Sequence, residues 1–169
     1  MLKWFGAVLI VAGGGYFGFC MAAAHRLEED CLRRLIAALD FMQCELQFRM
    51  TPLPELCALA GREQGKLMGR FFTQLGEELS FGISPDVGGC VHRVLGGMGP
   101  IPTSAHRALT MLGSSLGRFD VDGQVLGLES VRAFCRNQLE QLAVDRDARL
   151  RGYQTLGLCA GAALAILLV

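Results

Sequence analysis

Residues 4–24, WFGAVLIVAGGGYFGFCMAAA, constrain this chain more than any other stretch. They contain no Asp, Glu, Lys, Arg or His, and they follow directly on Lys3. As a helix rising 1.5 Å per residue they would be ~32 Å long, enough to cross a hydrocarbon core of about 30 Å. Read as an anchor, the stretch ties everything downstream to a membrane. Read as a secretory signal, it is removed, and Ala22-Ala23-Ala24 supplies the small residues of a cleavage site.

The far end of the chain bears on that choice. Residues 153–169, YQTLGLCAGAALAILLV, form a second uncharged apolar stretch, at the short limit for a span. Arg26, Arg33 and Arg34 follow the first stretch, and Arg146, Arg149 and Arg151 precede the second. Outside the pair stand only Lys3 and the chain termini. The positive-inside rule therefore sets the intervening segment in the cytoplasm. A cleaved signal would carry its positive charge in front and little immediately behind. The expectation is an N-terminal transmembrane anchor over 1–24, a cytoplasmic helical domain over 25–152 and a C-terminal transmembrane segment over 153–169. The alternative is a signal-cleaved, secreted or surface-attached helical binding protein, whose mature chain would start near His25.

Composition narrows the class. The 16 basic and 16 acidic residues cancel, so the electrostatic footprint of a nucleic-acid binder is missing. Leu, Ala and Gly are abundant and β-branched residues few, which favours helices. Seven cysteines cannot all pair within one chain. They are scattered singly, with no CxxC and no Cys/His set at zinc spacing, and fit buried thiols in a reducing compartment better than a disulfide framework.

Periodicity then lays out the middle. Leu32, Leu35, Leu39, Met42 and Leu46 recur at steps of three and four, the inward stripe of a helix over 25–50. Nothing separates this helix from the apolar stretch before it, so one long rod is allowed. Thr51-Pro52-Leu53-Pro54-Glu55 then breaks and restarts the chain, with Thr51 as the expected cap, Pro52 at the first helical position and Glu55 in the first turn. A short helix follows with Leu53, Leu56, Cys57 and Ala60 inward. Gly61 and Gly65 set off another over 66–80, with Leu67, Phe71, Phe72, Leu75 and Leu79 inward. Ser84-Pro85-Asp86 repeats the cap-and-proline pattern before Val87, Val91, Val94, Leu95 and Met98. Glycines and prolines over 96–102 make a loop. A helix over 104–116 buries Ala108, Leu109, Leu112 and Leu116. Asp120 then caps a long one that buries Val125, Leu128, Val131, Cys135, Leu139, Leu142 and Leu150. The expected fold is all-α: an antiparallel bundle of about five or six helices flanked by two transmembrane helices.

No chemical motif holds in this sequence. Gly13-x-Gly15-x-x-Gly18 matches a dinucleotide fingerprint in letters only, for no strand precedes it and no acidic residue follows at the right distance. Residues 61–67, GREQGKL, are one residue short of a phosphate loop and carry Leu where Ser or Thr must meet magnesium. His25, His92 and His106 stand far apart with no carboxylates at ligand spacing. No GxSxG or HExxH occurs. The expectation is a non-enzymatic protein with no catalytic residue, no cofactor and no metal. One pattern remains: Gly14-x-x-x-Gly18 and Gly157-x-x-x-Gly161 place a small-residue notch on each apolar stretch. It would suit close packing of the two stretches or a homo-oligomer, although glycine is common in such helices.

The order of these landmarks resembles the stage III sporulation protein AB family of endospore-forming bacteria. The residues that carry the resemblance are MLKWFGAVLIVAGG, LIAALDFMQCELQFRMTPLPEL, LTMLGSSLGRFDVDGQ and LGLCAGAALAILLV, which together cover nearly the whole chain. The most specific are the TPLPE turn and the run of Leu112, Gly113, Leu116, Gly117, Asp120 and Gln124. Gln43 stands where the family pattern has a Glu, and Leu56-Cys57 replaces an Ala-Leu pair, so no acidic-pair role is carried over. The family is distantly similar to platform protein F of type II secretion and pilus systems. The resemblance implies a scaffold subunit, anchored in the membrane around the forespore and facing the mother-cell cytoplasm. It would belong to a multi-protein channel joining the two cells, with other stage III proteins and an ATPase as partners. The candidate docking residues are Thr51, Pro52, Pro54 and Glu55 in one turn and Asp120 and Gln124 in another, although shaping the turns is the first job of such residues.

Overall fold

Proline and glycine set the helix boundaries. The computed structural model describes the backbone of residues 2–49, 51–62, 64–81, 86–117 and 121–168, with side chains over 23–49, 51–62, 64–81, 86–117 and 122–145. Six helices follow one another: α1 (Leu2–Phe48), α2 (Leu53–Gly61), α3 (Gly65–Ser80), α4 (Val87–Gly97), α5 (Thr103–Ser115) and α6 (Val121–Leu168). No strand occurs among the described residues. The all-helical expectation holds.

Two boundaries differ from the sequence reading in their chemistry. Pro52, extended at φ −55° and ψ 141°, caps α2, and Pro54 lies inside its first turn. Thr51 caps nothing: its hydroxyl donates to Glu45 Oε2 at 3.0 Å, tying the turn back onto α1. At α4 the cap is Asp86, whose carboxylate accepts from the backbone N–H groups of Gly88 and Gly89 at 3.3 and 3.2 Å. A carboxylate there also meets the positive end of the helix dipole. Ser84, Pro85 and Asp120 lie outside the described residues.

The inward stripes face the core, most members buried and Leu53, Leu67, Leu79, Met98, Val125, Leu139 and Leu142 half-buried, while the Leu150 side chain lies outside those described. Leu32, Leu35, Leu39, Met42 and Leu46 of α1 form one wall of the core. Met68, Phe71, Phe72 and Leu75 of α3 form another, the two rings meeting edge to face at 5.3 Å between centroids. Leu109, Leu112 and Leu116 fill the centre, and Leu128, Val131 and Cys135 close it from α6. Burying side chains of this size contributes about 1.5–3 kcal/mol each before chain entropy is counted.

Contacts far apart in sequence show that the chain reverses at every connection. Arg132 of α6 reaches Asp40 of α1, and Gln43 reaches Glu129, so a step back along α1 matches a step forward along α6. α2 folds back on α3 so closely that a Cβ on Gly69 would lie 2.8 Å from the Gly61 carbonyl oxygen, and one on Gly76 would lie 2.8 Å from the Pro54 carbonyl oxygen. Arg93 of α4 pairs with Glu78 of α3 at 3.2 Å. Ser104 of α5 donates to Glu28 of α1. α5 packs between α4, α6 and α1. As a result, one end of the bundle gathers the end of α1, the start of α2, the end of α3, the start of α4 and the end of α5.

The long rod allowed by the sequence forms. α1 continues without a break across residues 24 and 25, and α6 runs on through residue 152. Among the described residues no helix is long and apolar enough to cross a membrane. The side chains of residues 4–22 and 153–169, including the Gly14, Gly18, Gly157 and Gly161 positions, lie outside those described.

Candidate docking surface

The turn before α2 and the last turn of α3 come together because glycine lets them. Gly76 offers no side chain where α3 passes the Pro54 carbonyl and Ala58, so the two helices close to contact and leave a groove at their common end. The groove encloses ≈ 460 Å³. Pro52, Pro54 and Ala58 line one side, Gly76, Ser80 and Phe81 the other, with Glu55, Thr73 and Glu77 among its lining residues. The Ser80 hydroxyl is turned back onto the Gly76 carbonyl at 2.8 Å, so the lining is mostly apolar.

Two features of the groove bear on function. Phe81, just past the end of α3, is 76% exposed. Glu55 and Glu77 are exposed, and neither takes part in an ion pair among the described residues. Other acids nearby are engaged. Glu78 meets Arg93, and Glu45, only 11% exposed, holds Arg49 at 3.4 Å while accepting from Thr51.

The second candidate loop arrives at the same end. Gly117, at φ 76°, adopts a left-handed conformation, and a Cβ there would sit 2.5 Å from Val87 Cγ2 and 3.9 Å from Leu53 Cδ2. Only glycine fits that backbone and that space together. The end of α5 is therefore seated against the start of α2 and the start of α4. Of the sequence-based candidates, Pro52, Pro54 and Glu55 line the groove, and Thr51 holds the turn from inside. Gln124 is half-buried in the first turn of α6 and already engaged. Asp120 lies outside the described residues.

Thr73, Glu77, Ser80 and Phe81 were not anticipated from sequence. Gly69 and Gly76, seven residues apart on α3, were the available signal: small residues on the helix face that presses on α2.

Chemistry elsewhere is muted. Burial pushes the Cys57 thiol from an ordinary 9.0 up to about 12 and Cys135 up to about 11. Cys31 is raised too, by burial first and then by Asp30. These thiols stay protonated, poor as nucleophiles or ligands. Among the described residues no group of His, Cys, Asp and Glu is placed to hold a metal ion. No buried side-chain nitrogen or oxygen there lacks a partner.

Comparison with known proteins supplies the lineage. The family model described as stage III sporulation protein AB matches residues 3–169. The chain belongs to that family. A solved structure titled "Stage III sporulation protein AB (SpoIIIAB)" superposes with a TM-score of 0.62 at 17% identity, covering 72% of this chain and 98% of the other. At that identity the likeness speaks for the shared helical fold. No curated protein gives a match. Family membership agrees with the resemblance drawn from the TPLPE turn and the Leu112–Gln124 run, and it places the chain among the sporulation stage III proteins.

Proposed function

We propose that the protein is a non-enzymatic scaffold subunit of a sporulation stage III complex, held in the membrane by residues 1–24 and 153–169. Its helical domain faces the mother-cell cytoplasm and presents the α2–α3 groove to a neighbouring subunit. The observation that carries this reading is that two loops singled out in the sequence meet at one end of the bundle, beside an open apolar groove with an exposed Phe. Because α1 and α6 run antiparallel, both apolar stretches belong to the opposite end. On this reading their register continues outward, bringing Gly14 level with Gly157, where small residues favour close packing.

Two measurements test it. Fractionation of sporulating cells should recover the full chain in membranes with its N-terminal residues intact. A mature start near His25 would favour the secreted alternative. Replacing Phe81 with Ser, an exposed change with little cost to the fold, should reduce spore formation and recovery of the chain with other stage III proteins. Unchanged spore formation would remove the groove from the account.

A further inference from the structure

Charge at the groove indicates what it receives. Its lining is apolar along Pro52, Pro54 and Phe81, while Glu55 and Glu77 contribute negative charge that no ion pair takes up among the described residues. Such carboxylates are hydrated when the groove is empty. A partner that covered them without bringing positive charge would strip that water and give nothing back. One that brought Lys or Arg would replace the water with charge-assisted hydrogen bonds and be steered in by the field. An anionic lipid headgroup would be repelled.

Building on the docking role proposed above, we infer that the α2–α3 groove takes an amphipathic helix of a partner protein, its apolar face on Pro52, Pro54 and Phe81 and its Lys or Arg residues against Glu55 and Glu77.

The test uses the full chain in detergent and amphipathic helical peptides in which leucine alternates at helical spacing with lysine, glutamine or glutamate. Fluorescence anisotropy should show the leucine–lysine peptide binding most tightly, and more weakly as salt rises. The doubly neutralised E55Q/E77Q chain should bind it about fivefold more weakly or worse, since exposed charge pairs contribute modestly. Equal binding of the glutamine or glutamate peptide would overturn the inference, as would lysine-peptide binding unchanged by E55Q/E77Q. Spore formation separates this inference from the docking role beneath it. If F81S impairs spores and E55Q/E77Q does not, docking stands and the cationic chemistry falls; if neither does, both fall.

Discussion

Arg132 donates a 2.7 Å hydrogen bond to Asp40 across 92 residues of chain, and Gln43 reaches Glu129 one turn away at 3.1 Å. Together these contacts mark the antiparallel register of α1 against α6. Asp40 is 45% exposed, so the pair is screened and its energy small. A double-mutant cycle of Asp40→Ala and Arg132→Ala, followed by urea unfolding, should give a coupling of about 0.5–1 kcal/mol that shrinks with salt. Register then rests on the buried stripe.

Two glycine-to-alanine changes should move stability in opposite directions. Alanine favours a helix interior by about 1 kcal/mol over glycine. At Gly96, near the end of α4, a Cβ would meet nothing within 4 Å, so Gly96→Ala should stabilise slightly. At Gly69 the Cβ would strike the Gly61 carbonyl at 2.8 Å, and overpacking of about 1–3 kcal/mol should outweigh the gain. Thermal unfolding of the two variants beside the parent decides it.

The buried thiols make the fold sensitive to alkali. Cys57 is neutral in the folded chain up to about pH 12, while in the unfolded chain it ionises near 9.0. The stability that goes with keeping it neutral is complete below pH 9 and drains away as pH rises towards 12. Urea midpoints should therefore fall above about pH 9, and Cys57→Ala should flatten that fall while lowering stability at neutral pH. Among the described cysteines, exposed Cys44 should alkylate first, ahead of buried Cys31, Cys57, Cys90 and Cys135, as read by mass spectrometry.

Removing the α4 cap should cost about 1 kcal/mol, since Asp86→Ala leaves the N–H groups of Gly88 and Gly89 to water. Asp86→Asn, which still accepts, should lose less. Circular dichroism melts of both variants provide the check.

Much of this architecture was legible in the residues. Every member of the α1 stripe from Leu32 to Leu46 is buried, and the Pro52 and Gly61 breaks fall at helix ends, because period and backbone restriction are local properties. What could not be read was tertiary. Thr51 had the chemistry of a cap, but Glu45, six residues earlier, took its hydroxyl. Most of the scattered cysteines were expected to be buried, and which one is not, Cys44 on the exposed side of α1, is set by packing. The α3 half of the groove escaped because Gly76 reads as a weak spot in a helix until Pro54 is found against it. Half of the candidate surface thus came from turn chemistry. The other half needed the α2–α3 crossing.

The central claim is that the groove end of the bundle meets a neighbouring protein of the sporulation complex. A photo-crosslinking amino acid in place of Phe81, in the full chain in sporulating cells, tests it most directly, with the same residue in place of exposed Arg62 at the opposite end of α2 as reference. The account predicts a crosslink to another stage III protein from position 81, diminished when Glu55 and Glu77 are both changed to Gln, and none to that protein from position 62. A crosslink to that protein from position 62 with none from position 81 would contradict it.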